Sequence, residues 1–179
     1  MKNTRPKKSP PDFTRSLALL AIILPVSLST AAANTQLLNT LPSYSTEYNV
    51  KQDAFKDGAA AVKLATETNR RILIELGGDW CTWCNKMDLF FDNNPDVKQK
   101  LHETFVMLKI NVSDENDNAD FLKAFPKPLG YPHMYVSEYN GSVLWSQDTA
   151  EFLKNGHYTR ESFLAFFKRW DINKNLPEK

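Results

Sequence analysis

Three short apolar runs set the strongest limit on what this chain can fold into. They are "RILIEL" at 71–76, "FVMLKINV" at 105–112, and a run at about 133–138 that is entered through "PKPLGYPHMYVS". The first is rich in β-branched residues and bounded by charge on one side and Gly77-Gly78 on the other. A run of that length with so few polar positions reads as a strand buried on both faces, as in a parallel sheet. The segments between the runs have helical character. Over 53–68, Ala54, Phe55, Ala59, Val62 and Ala65 follow helical spacing behind Asp53, a capping residue. The stretch from Cys81 to Phe91 lacks Gly and Pro, and 93–104 carries Asn93 or Asn94 as cap with Pro95 in its first turn. A short helix is expected near Ala119–Phe125. A last amphipathic one is expected over 159–173, with Phe163, Leu164, Phe166, Phe167 and Trp170 as its apolar positions. Asn140-Gly141 separates the third run from a fourth and is a strong hairpin signal. Strands alternating with helices predict an α/β sheet covered by helices on both faces.

The chain has 179 residues, which fits one domain with an extra segment at one end. That segment is N-terminal. Residues 1–33 hold five basic residues against Asp12 alone, then the apolar run "LALLAIILPVSL", then "STAAAN" with a small-residue cleavage pattern at Ala31–Ala33. The apolar run is short for a membrane span and contains Pro25. It reads as a secretory leader cleaved after Ala33, with retention as a membrane anchor as the alternative. Residues 34–52 are expected to be an irregular arm or linker, and 53–179 the domain. The remaining chain would work in the periplasm or outside the cell, where disulfides persist. Beyond position 33 the balance is 17 basic to 20 acidic residues. That argues against a basic face for nucleic acid.

Both cysteines lie in "LGGDWCTWCNKMD", as Cys81 and Cys84. Cys81 falls where a strand and a Gly-Gly turn give way to a helix. A thiol there meets unpaired N–H groups and the positive end of the helix dipole, which favour thiolate, the nucleophilic form. Cys84 lies one turn on and on the same face, placed to attack a mixed disulfide at Cys81. Other readings stay open. A structural zinc site needs about four ligands, whereas the chain has two cysteines and three histidines scattered over separate segments. A Cu(I) chaperone site on Cys81, Cys84 and His133 is chemically reasonable because thiolates suit that ion. A purely structural disulfide would close a very small loop, which limits its stabilisation through chain entropy.

"ILIELGGDWCTWC" resembles the active-site strand and turn of the thioredoxin superfamily. It is closest to a secreted thioredoxin-like branch whose motif reads W-C-x-W-C followed by K-M, here Trp80, Cys81, Trp83, Cys84, Lys86 and Met87. The similarity spans roughly residues 53–172. It implies a thioredoxin fold: a central mixed sheet of about four to five strands with helices on both faces. It implies a thiol–disulfide oxidoreductase that reduces or exchanges protein disulfides and has no cofactor beyond the Cys81–Cys84 pair. Its partners would be disulfide- or thiol-bearing proteins and an upstream dithiol protein, and the chain itself would be a monomer.

The resemblance also implies roles. Glu75, six residues before Cys81, matches the buried acid that handles the proton of the second cysteine, a role that needs a raised pKa. Lys109 matches a strand-borne lysine near that acid. Pro132 matches a cis-proline opposite the cysteines, and the backbone of Tyr131 would pair with an extended substrate. His133, next in sequence, is a candidate neighbour of Cys81 that would stabilise its thiolate. Trp80 is expected to pack under the active-site loop and Trp83 to lie at the surface, both near the substrate. The sequence departs from the common W-C-G-P-C at two positions, where Thr82 and Trp83 replace Gly and Pro. No reduction potential can be carried over.

Overall fold

The computed structural model describes residues 40–173, together with Met1, Leu37 and Leu38. The leader expected over residues 1–33 lies outside this range apart from Met1. No helix among the described residues is long and apolar enough to cross a membrane.

Helix α1 (Ala54–Thr68) opens on the Asp53 carboxylate, which accepts from the N–H groups of Phe55 and Lys56. It ends at Asn69, in the left-handed region with φ 49°. Strand β1 (Arg71–Gly77) follows, then α2 (Thr82–Asp92), α3 (Pro95–Thr104) and β2 (Phe105–Asn111). Pro95 stands at the start of α3, where a missing N–H costs nothing. A short helix, α4 (Ala119–Leu122), precedes β3 (His133–Ser137) and β4 (Val143–Asp148). The chain closes with β5 (Leu153–Lys154), β6 (His157–Tyr158) and α5 (Arg160–Trp170), the last capped by Thr159, whose hydroxyl accepts from the Ser162 N–H.

The main sheet has the order β2-β1-β3-β4. β1 and β2 run parallel, joined by the α2–α3 crossover, while β3 lies antiparallel to β1 and β4 antiparallel to β3. The sheet is therefore mixed and four-stranded, with helices on both faces. The β3–β4 turn holds Asn140 and Gly141, as expected, but as part of a five-residue connection with Gly141 at φ 88°. A second Asn-Gly pair closes β5 to β6: Asn155 and Gly156 both have positive φ, at 52° and 77°, as a tight hairpin requires. The same dipeptide signal is present in the sequence there, flanked by strands too short to register as apolar runs.

The two faces of the sheet have separate cores. Ala54, Ala61 and Ala65 of α1 cover Ile72, Ile74, Leu76, Val106, Leu108, Ile110 and Tyr135. The opposite face packs Leu73, Phe105, Met107, Met134 and Val136 under α2, α3 and α5. Phe163 is central there, with ring centroids 4.6 Å from Phe152, 4.8 Å from Phe91 and 5.1 Å from Phe90. Phe55 and Ala59 face outward on α1, and Ala61 takes the buried position between them and Ala65.

Residues 43–52 of the expected arm are docked along the outer edge of β2. The Ser45 hydroxyl donates to the Met107 carbonyl at 2.6 Å, and the Gln52 amide donates to the Lys109 carbonyl at 2.8 Å. The Asn111 N–H donates to Gln52 Oε1 at 3.4 Å. These side chains occupy backbone groups that an open edge strand would leave exposed.

Candidate active site

Glycine governs the corner between β1 and α2. A Cβ added to Gly77 would lie 2.5 Å from Cys84 Sγ and 2.5 Å from the Tyr48 hydroxyl. One added to Gly78 would lie 2.6 Å from the Trp80 indole nitrogen. Only residues without a side chain let the strand approach the thiol pair this closely. The Cys81 N–H donates to the Gly78 carbonyl at 2.9 Å and seats Cys81 as the N-cap of α2.

Cys81 and Cys84 are joined in a disulfide. Cys81 Sγ also accepts from the Cys84 N–H at 3.1 Å. When the bond is reduced, that N–H and the helix dipole act on the sulfur that stands in the capping position, and both favour thiolate there. Cys81 keeps 3% of its surface exposed and Cys84 none, so Cys81 is the one of the two nearer to solvent.

Behind the pair lies a line of buried polar groups. Glu75 is 1% exposed. Parallel register sets Glu75 beside Lys109 on the same sheet face, and Lys109 Nζ lies 3.9 Å from Glu75 Oε1. The ammonium is closer to another acid: it donates to both Asp88 carboxylate oxygens, at 2.6 and 2.7 Å. Asp88 comes from α2 and has a half-exposed side chain. The fourth member is Tyr48, whose hydroxyl donates to Glu75 Oε1 and over whose ring Lys109 Nζ sits at 4.7 Å.

These contacts decide the charges. Burial raises the pKa of Glu75; Lys109 acts against the rise, Asp88 adds to it, and the Tyr48 hydrogen bond opposes it. The net direction is upward because burial is the largest of these effects. Burial pulls Lys109 down, but Glu75, Asp88 and Asp92 outweigh it and hold the ammonium charged. Tyr48 is pushed well above its ordinary value of 10.0 by burial and then by the Glu75 charge. The result is an acid that holds its proton more readily than an exposed carboxyl, beside a cation that stays ionised and a phenol that stays neutral. A cavity of about 270 Å³ is lined in part by Glu75, Asp88, Lys109 and His102, and neither cysteine lines it.

The remaining expected residues are placed as follows. The Tyr131–Pro132 bond is cis. The Tyr131 ring packs beside the thiol pair and meets Trp80 edge-on, with centroids 5.4 Å apart. The Pro132 carbonyl accepts from the Thr149 hydroxyl. The two tryptophans reverse their expected surroundings. Trp80 is 57% exposed, although its indole N–H donates to the Val112 carbonyl at 2.7 Å. Trp83 is half-buried, edge-on to Tyr158 at 5.9 Å and capped by Lys86 Nζ at 4.0 Å. The β5–β6 hairpin, which brings in Tyr158, supplies that cover.

His133 is a correction. It pairs with Leu76 across the sheet, whereas Glu75 pairs with Met134. Its ring therefore lies on the α1 face beside Tyr135, with centroids 5.0 Å apart, and Nε2 is 2.8 Å from the Ser146 hydroxyl. Glu75, Gly77 and the sulfur of Cys84 are on the other face. His133 thus neither supports the Cys81 thiolate nor completes a three-ligand copper site. Among the described residues, no group of three or more His, Cys, Asp and Glu is arranged to hold a metal.

Tyr48 and Asp88 belong to the site and were not picked out by sequence reasoning. Asp88 carried a signal, since it follows Cys84 by four residues and so returns to the same helix face. Tyr48 lies in a polar stretch without periodicity, and nothing local marks it.

A family model described as thioredoxin-like matches residues 53–137. Two curated relatives named thiol:disulfide interchange protein DsbD are each 27% identical. The match covers 100 residues in the Colwellia psychrerythraea protein (55% of this chain, 16% of the relative) and 108 in that of Haemophilus ducreyi (60% and 18%). The chain thus spans less than a fifth of the length of these relatives. Among solved structures, a disulphide isomerase from Xylella fastidiosa Temecula1 superposes with a TM-score of 0.58 at 23% identity, covering 72% of this chain and 95% of that one. The oxidised DsbD C-terminal domain of Neisseria meningitidis gives 0.51 at 20%, covering 66% and 96%. Strand order, the Cys-x-x-Cys pair at the head of α2, the cis Tyr131–Pro132 bond and these likenesses agree: the chain has a thioredoxin fold, and its residues 53–137 match the thioredoxin-like family model.

Proposed function

We propose that the chain is a thiol–disulfide oxidoreductase that reduces or exchanges disulfides in extracytoplasmic proteins, and that it belongs to the branch with the W-C-x-W-C motif. The observation that carries this reading is the Cys81–Cys84 disulfide at the N-terminus of α2, with Glu75 buried behind it. In the reduced protein, the Cys81 thiolate attacks a substrate disulfide. A Cys81–substrate bond forms and the other substrate sulfur leaves as thiolate. Cys84 then gives up its proton toward Glu75 and attacks Cys81 Sγ. The internal disulfide forms and the second substrate sulfur leaves, now reduced. Lys109 and Asp88 set the charge around Glu75. Trp80, Trp83, Tyr131 and Pro132 form the surface against which the partner chain lies. A second dithiol protein returns two electrons to the pair, and no other cofactor takes part. Placement outside the cytoplasm rests on the leader-like residues 1–33.

Two measurements test the reading. The reduced protein should turn over insulin disulfides, and Cys81→Ser should abolish that activity. Cys84→Ala, which keeps the nucleophile and removes its resolver, should accumulate mixed disulfides with a disulfide-bearing protein on non-reducing gels. A Cys84→Ala protein that traps nothing, with a wild type that reduces nothing, would leave the thiol pair a structural staple.

A further inference from the structure

Tyr48 reaches the site from a segment that the thiol chemistry described above does not use. It is 27 residues before Glu75 in the chain, yet its hydroxyl donates to Glu75 Oε1. The same hydroxyl and Cys84 Sγ each lie 2.5 Å from the point that a Gly77 Cβ would occupy, so hydroxyl and sulfur are at most twice that distance apart. Tyr48, Cys81 and Cys84 pack as one buried cluster. The hydroxyl therefore touches Glu75 on one side and has the Cys84 sulfur close by on the other. Ser45 and Gln52, bonded to the Met107 and Lys109 carbonyls, hold the Tyr48 segment on either side.

We propose that Tyr48 is the proton relay between Cys84 and Glu75, a role that rests on the oxidoreductase reading and deepens it. In the resolving step, the Cys84 S–H proton moves to the Tyr48 oxygen as the phenol proton moves to Glu75. Tyr48 begins and ends neutral, Glu75 ends as the carboxylic acid, and Cys84 becomes the thiolate. Its electron pair forms the bond to Cys81 Sγ, and the pair of the broken Cys81–substrate bond leaves with the substrate sulfur. The reverse sequence serves reduction of the internal disulfide. The upward shift of the phenol suits this role, since Tyr48 passes a proton without acting as a base itself. The acid then gives up its proton on the side of the cavity shared with Asp88 and Lys109.

The test follows the two thiols separately. Reduced protein mixed with 5,5′-dithiobis(2-nitrobenzoate) in a stopped-flow instrument releases one chromophore when Cys81 attacks and a second when Cys84 resolves. Tyr48→Phe should leave the first phase within about twofold and slow the second about 100-fold at neutral pH, the low end for a lost general-base path. Its second phase should then climb with pH toward the wild-type rate, as Cys84 ionises unaided. Glu75→Gln should lose a similar factor, and the double variant should lose no more, because both groups serve one transfer. A Tyr48→Phe second phase with wild-type rate and pH profile would overturn the relay, as would losses that multiply in the double variant. Wild-type protein alone gives an independent check. Its second phase in mixed H₂O and D₂O should bow downward, with two protons in flight, and a straight line would overturn the relay. A wild type that shows no first phase at all would instead sink the oxidoreductase reading.

Discussion

Toward α1, β1 presents Ile72, Ile74 and Leu76 and β2 presents Val106, Leu108 and Ile110, apolar from one end to the other. On the opposite face, the same two strands carry Leu73, Phe105 and Met107 after Arg71, which is tied to Glu138 and the Trp170 carbonyl, and finish with Glu75, Lys109, Gly77 and Asn111. One face is a core throughout. The other is a core at its N-terminal end and a buried polar site at its C-terminal end, under the thiol pair. The polar end is tolerated because its groups find partners: Glu75 with Tyr48, and Lys109 with Asp88. Burying such groups without partners would cost several kcal/mol each. The sheet thus separates stability from chemistry by strand parity.

The first way to probe that division is on the apolar face. Leu108→Ala, at a position 1% exposed, should cost about 2–5 kcal/mol in denaturant unfolding. It should leave the pH dependence of the thiol chemistry unchanged. A shifted profile would mean that the faces are coupled.

The next effect lies on the other face, at His102, buried in α3 and lining the cavity beside Glu75. Burial, then the charges of Lys98, Arg70 and Lys109, pushes its pKa down to about 4 from 6.5. A depressed imidazole contributes stability above its unfolded pKa and loses it as pH falls through the folded one. The wild type should therefore lose up to about 3 kcal/mol between pH 6.5 and 4. His102→Gln should flatten that part of the stability curve.

Gly77→Ala drives a methyl group against Cys84 and Tyr48 and should cost about 1–3 kcal/mol by overpacking, with the thiol kinetics impaired as well. At Gly130 an added Cβ meets nothing within 4 Å. Gly130→Ala should stay within about 0.5 kcal/mol of wild type.

The smallest effect concerns Glu75 in the oxidised protein. Its folded pKa is raised, so folding favours the protonated form. That contribution is present below the ordinary value of 4.5 and is lost as pH rises through the folded value. Glu75→Gln should remove this loss and gain stability relative to wild type toward neutral pH, while slowing resolution. Thermal melts across that range read the sign. A variant less stable than wild type at neutral pH would show that the pairing with Lys109 outweighs burial.

Much of the fold was legible because its signals are local. Asp53 and Thr159 cap helices, Pro95 starts one, and Asn140-Gly141 lies in a turn; each acts over a few residues and depends little on the rest of the chain. The thiol pair was legible too, since a strand, two glycines and Cys-x-x-Cys build the corner from consecutive residues. Exposure was less so. Trp83 reads as a surface residue until the β5–β6 hairpin brings Tyr158 over it, and that hairpin rests on strands of two residues each.

What the sequence determined alone is therefore the list of elements, the corner that carries Cys81 and Cys84, and the presence of one acid and one lysine on neighbouring strands. Only the tertiary structure decided which groups meet. Strand register put Glu75 beside Lys109 and sent His133 to the other face, where a shift of one residue would have exchanged His133 with Met134. Packing of the N-terminal segment on the β2 edge delivered Tyr48 to a carboxyl 27 residues away. Capping and periodicity act within a turn or two of the backbone, whereas register and docking are settled by the fit of whole surfaces, which no short stretch encodes.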